Sequence, residues 1–120
     1  MNDLVQWLRA QLADDERIAR AAHAPNWSTD GRRGLHYGVE DEWITDALTT
    51  ADADHMARHD PARVLREIDA KRQVIAEHDV YGRKLGERMD CQSLDFPCRT
   101  LRLLALPYAD RPGYRPDWRP

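Results

Sequence analysis

The dipeptide Asp60-Pro61 constrains this chain more than any other feature. An aspartate at a helix N-cap accepts a hydrogen bond from a first-turn amide that would otherwise go unmet. Proline suits the first helical position, where its missing N–H costs nothing. A helix is therefore expected from residue 61 to about Tyr81, ended by Gly82, and it should be the longest in the chain. Val64, Leu65, Ile68 and Ile75 form its apolar stripe, with Glu67 and Lys71 as a favourable i,i+4 pair on the wet face. The surrounding stretch, 55–78, also gathers three of the five histidines.

The remaining elements should lead into that helix or pack against it. Residues 3–23 carry Leu4, Val5, Leu8, Leu12, Ala19 and Ala22 on one face at helical spacing, capped by Asn2 or Asp3. Asp15 falls near the middle of that face and needs a partner, because burying a lone carboxylate is costly. A salt bridge to an arginine of the long helix is the plain expectation, and a metal ligand or general base the sharper one. Within 26–44, the turn dipeptides Asp30-Gly31 and Arg33-Gly34 separate two stretches of β character, which reads as a hairpin. A hairpin is marginal alone, so Trp27, Tyr37 and Trp43 are expected to pack on helices, or else to form a binding surface. Thr49 or Thr50 should start a short helix over 51–58. Residues 82–95 read as a loop, and 97–107 as a short helix buried on more than one side. The tail, rich in proline, should lie as an extended strap held by Tyr108, Tyr114 and Trp118.

The fold class expected is mainly α (α+β), a single domain over residues 1–120. It has a long N-terminal helix, a small β-hairpin, a long central helix, a short buried C-terminal helix and an extended C-terminal strap. At 120 residues it can bury a core without help from disulfides or metals. No apolar run is long enough for a membrane span, and the N-terminus lacks the features of a secretory signal. A soluble cytoplasmic protein is the default expectation, with Cys91 and Cys98 reduced or metal-bound. The net charge is −3, far from the basicity of a dedicated nucleic-acid binder. It is unevenly spread. Residues 40–60 hold seven acids against Arg58, whereas 99–120 hold Arg99, Arg102, Arg111, Arg115 and Arg119 against two aspartates. The arginines are candidate interaction residues, for phosphate or an acidic partner.

Two sets of residues have metal-ligand chemistry. His55 and His59 are four apart, which places both on one helical face, but Met56 stands where a zinc protease needs its glutamate. The helix break at Asp60-Pro61 points instead to capping and packing. Cys91 and Cys98 are spaced more widely than usual structural zinc pairs. With His78 and either His55 or His59 they make a chemically reasonable Cys2His2 set. Two separate thiols, or a disulfide, are the alternatives. No phosphate loop and no triad context is present.

Three stretches carry a family resemblance: DLVQWLRAQLADDERIARAA, HMARHDPARVLREIDAKRQVI and PCRTLRLLALPYADRPGYRPDW. Together they resemble a small family of uncharacterised proteins from actinobacteria and their phages, across nearly the whole chain. The resemblance implies no activity, cofactor or catalytic residue. The expected function is a non-catalytic accessory protein, acting on a protein partner or by self-association without a cofactor. The rival is a small zinc protein, structural or hydrolytic.

Overall fold

The structure, a computed structural model, describes residues 3–79 and 97–120. Asn2, Tyr81, Gly82, Cys91 and the expected loop 82–95 lie outside the described residues. The fold is an α+β mix, as the sequence predicts. In chain order it comprises α1 (Asp3–Ala21), β1 (Trp27–Thr29), β2 (Gly34–Tyr37), β3 (Glu42–Asp46), α2 (Thr50–Arg58), α3 (Pro61–His78) and α4 (Arg99–Ala105). Two 3-10 turns follow, Leu106–Tyr108 and Pro116–Trp118. Among the described residues α1, at 19 residues, is longer than α3, at 18, so the helix expected to be longest is second. The chain divides into two compact units, Asp15–Ile68 and Met1–Asp14 with Asp69–Pro120.

In the unit Asp15–Ile68, the first turn of α3 leaves none of its amides unmet. Pro61 has no N–H. Ala62 N–H donates to Pro25 O at 2.9 Å, Arg63 N–H to Asp60 Oδ1 at 2.9 Å, and Val64 N–H to Asp60 O at 3.1 Å. This is the complete accounting that a helix start demands. The second Asp60 oxygen accepts from Trp27 N–H at 3.1 Å, so one carboxylate both caps α3 and holds the first residue of β1. Just before β1 the chain turns through Ala24 at φ 62°, a left-handed conformation uncommon for a residue with a side chain. The Trp27 indole N–H meets the carbonyls of that turn, at 2.9 Å from His23 O and 3.1 Å from Ala24 O.

The three strands form an antiparallel sheet in the order β1-β2-β3. The β1–β2 turn is organised by Asp30, whose Oδ1 accepts from Arg32 N–H at 2.8 Å and Gly34 N–H at 3.2 Å. A Cβ at Gly34 would crowd the Asp30 carboxylate and stand 3.0 Å from His36 Nε2, so both side chains would have to shift. β2 buries Leu35, and α2 buries Ala53 and packs against β1 and β2. Thr49 caps α2, its Oγ1 accepting from Asp52 N–H at 3.0 Å.

The expected hairpin therefore gains a third strand, β3. Its pattern of exposure explains why the sequence hides it: only Ile44 is even partly buried. A strand wetted on both faces has no alternation to detect. Register shifts at Ile44, since Leu35 pairs with Thr45 but His36 with Trp43. Such a bulge adds one residue and lets Trp43 and Asp46 share a face, where Trp43 Nε1–H donates to Asp46 Oδ1 at 3.1 Å. Trp43 was expected to pack on helices and does not; it is 62% exposed.

In the other unit, Leu4, Val5, Leu8 and Leu12 of α1 are buried, as are Ile75, Cys98, Leu101, Ala105, Tyr108 and Trp118. α4 buries one face only: Leu101 and Ala105 are enclosed while Leu103 remains 46% exposed, so the expected burial on more than one side is not found. The tail packs on Trp7, but as a succession of turns and 3-10 segments and not as the extended strap expected. Trp7 stacks at tilted angles with Tyr114 and Trp118, at 5.6 and 5.4 Å between ring centroids. The Trp7 indole N–H donates to Pro112 O at 3.1 Å. Gly113 follows at φ 90°, and a Cβ there would stand 2.7 Å from Trp7 Nε1, so only glycine allows this approach.

The double role of Asp60 sets its cost on removal. Asp60→Ala is expected to destabilise the protein by about 2 kcal/mol, the sum of a lost cap and an amide left without its acceptor. Asp60→Asn keeps an acceptor and should lose less. Urea unfolding midpoints check both, and an Asp60→Ala midpoint equal to that of the unmodified protein would contradict the double role.

Candidate functional site

In the unit Asp15–Ile68 the described residues line an open pocket of about 300 Å³. It is lined by Ile18, Ala19, Ala22, Trp27, Pro61 and Val64, together with Asp15 and His59, and its exposed surface is almost wholly apolar. The local sequence places each of them. Asp15, Ile18 and Ala19 recur at helical spacing on α1, and Ala22 follows its end. Trp27 is fixed by its indole and amide bonds, and Pro61 by the helix start. Asp15 is half-buried and engaged within the chain. His59 ends α2, its N–H donating to His55 O and Met56 O, and its ring lies 4.5 Å from that of His55. The i,i+4 histidines thus do come together, on the exposed end of a short helix.

Two groups of the sheet have displaced titrations. The Asp30 carboxyl is held below its ordinary range, first by the Arg32 N–H, against the opposing effect of burial, and further by the Gly34 N–H and His36. The Tyr37 phenol is raised, first by its hydrogen bond to Glu42 and further by burial and the Glu42 charge.

In the other unit, His78 Nδ1 stands 3.5 Å from Cys98 Sγ. Cys98 is a free, buried thiol. Cys91, the other expected ligand, lies outside the described residues. Among the described residues no group of three or more His, Cys, Asp or Glu side chains is placed to hold a metal. The arginines expected to form an interaction surface are mostly engaged at home. Arg102 Nε–H donates to Pro97 O at 2.9 Å. Arg111 lies 4.7 Å from the Tyr108 ring centroid and Arg119 5.9 Å from that of Tyr114. Arg115 pairs with Asp3 at 3.1 Å and Asp117 at 3.2 Å, and lies 5.3 Å from the Trp118 ring. Arg99 is exposed.

Sequence reasoning missed the pocket as a unit. Its residues come from three separate segments, and only Asp15, alone on an apolar face, signalled that something polar meets that surface.

A family model described as a family of unknown function, DUF6221, matches residues 1–120. The chain belongs to the DUF6221 family. No curated protein and no solved structure matches this DUF6221 chain. No described helix is long and apolar enough to cross a membrane.

The lowered Asp30 titration fixes a sign. A carboxyl whose folded value lies below its unfolded one stabilises the fold above the ordinary range, and this is lost as pH falls through the lowered value. NMR titration of the Asp30 carboxyl carbon should give a midpoint below that of the same residue in urea-unfolded chain. The Arg32 and Gly34 amide signals should move with it. A midpoint at or above the unfolded value would contradict the turn geometry.

Proposed function

We propose that this DUF6221 protein is a small cytoplasmic accessory protein of an actinobacterium or its phage, acting by binding another protein or a second copy of itself, without catalysis. The observation that supports this is large apolar surface left in water on the unit Asp15–Ile68. Trp43 is 62% exposed and Leu48 83%. Aromatic residues placed in water in this way are the usual anchors of protein interfaces. The origin rests on the resemblance of the opening helix and the terminal block to actinobacterial and phage proteins. The test is recovery of the tagged chain from its native host, with light scattering of the pure protein over a range of concentrations. One stoichiometric partner or a dimer is expected, weakened about tenfold or more by Trp43→Ala with Leu48→Ser. A monomer that recovers no stoichiometric partner overturns the reading.

The approach of His78 to Cys98 favours a second reading, a small structural zinc site that also draws on Cys91. Both residue types are good zinc ligands, and zinc bound there would add to folding stability. Protein purified without chelator should then carry zinc, and chelation should lower its melting temperature. Less than about a tenth of an equivalent by elemental analysis removes this reading.

A further inference from the structure

We propose that the Trp43 face of β3 docks an arginine-rich segment of a partner protein, seating a guanidinium on the Trp43 ring beside the Asp46 carboxylate. This rests on the reading that Trp43 belongs to a protein-binding surface, and it adds the chemistry of the partner. Trp43 is 62% exposed, so its indole lies largely in water. Its Nε1–H donates to Asp46 Oδ1 at 3.1 Å, which holds ring and carboxylate side by side on one face of the strand. Asp46 is itself exposed, and a carboxylate that accepts one N–H keeps lone pairs for further donors. The indole face is the best aromatic partner for a cation, and a guanidinium can stack on it while its N–H groups reach a neighbouring carboxylate.

The charge around the ring selects the sign of the partner. Residues 34–57 hold six acids and neither lysine nor arginine, and the bordering bases are Arg33 and Arg58. Glu40, Asp41 and Glu42 lead directly into Trp43, and all three are exposed. An acidic segment would be repelled here, and a neutral one would forgo the attraction of both the ring and the carboxylates.

A second copy of the chain fits this face poorly. It would bring the same acids to it. The arginines of its tail are engaged at home, with Arg111, Arg115 and Arg119 lying over rings of their own chain and Arg115 also paired with Asp3 and Asp117. The occupant is therefore a protein of different composition, with arginines to spare on its surface.

The test follows the Trp43 indole N–H signal of isotope-labelled protein, assigned by its loss in Trp43→Leu. The probes are a short peptide alternating arginine and glycine and its citrulline and glutamate counterparts. Citrulline keeps the planar shape of arginine without the charge. The arginine peptide should move the signal saturably, bind about fivefold or more tighter than the citrulline peptide, and weaken as salt rises, with the glutamate peptide weakest. Asp46→Asn, which keeps an acceptor for the indole N–H, should narrow the preference for arginine over citrulline. An unmoved signal, parity of the arginine and citrulline peptides, or an arginine peptide that binds Trp43→Leu as tightly as the unmodified protein overturns the proposal. Movement of the signal on concentrating the protein alone names a second copy as the occupant, and also overturns it. Parity of the peptides alongside a native partner lost in Trp43→Ala with Leu48→Ser sinks this inference and leaves the protein-binding reading standing.

Discussion

The Asp60 carboxylate is the joint on which the unit Asp15–Ile68 depends. One oxygen completes the first turn of α3 and the other holds the amide of Trp27. Helix start and strand start are thereby fixed by a single side chain, separated by 33 residues along the chain. The adjacent backbone bond from Ala62 N–H to Pro25 O, at 2.9 Å, draws the same two segments together. The pocket is a consequence. Pro61 and Trp27 both line it, and each is a direct neighbour or partner of Asp60.

Among the described residues, the arginines of the tail are engaged by its own rings and carboxylates. Arg111, Arg115 and Arg119 all lie over rings of the tail, and Arg115 also bridges two aspartates. Their planar guanidinium groups suit such stacking, which a lysine would not reproduce. A run of arginines with prolines and aromatics is thus a way of fastening a tail whose described backbone hydrogen bonds are all local turns. It need not be a surface reserved for phosphate.

Much of the fold was legible in the sequence because it is written in local chemistry. The Asp60-Pro61 start, the Thr49 cap and the Asp30-Gly31 turn each rest on residues within a few positions of one another, and each is found where expected. The apolar face of α1 was legible for the same reason of spacing. β3 was not, because a strand exposed on both faces loses the alternation that betrays strands, and the Ile44 bulge breaks what is left. Burial around α4 was overread, since a run of leucines does not say which of them faces water. The candidate site was the least legible part. His55 and His59 announced themselves by spacing, while the pocket draws on α1, β1 and the start of α3, a meeting that only the tertiary structure specifies.

The bulge in β3 carries a further consequence for how this sheet treats its own kind. An unpaired edge strand invites other strands, and identical copies are the most abundant ones it meets. Two β3 strands laid antiparallel about Ile44 would set Glu42 of each against Asp46 of the other, like charges face to face on an irregular ladder. The edge is therefore frustrated toward itself while leaving the Trp43 indole in view. Strand-to-strand pairing of identical copies at this edge is disfavoured in this way, while the exposed Trp43 ring stays open to contacts that do not pair strands.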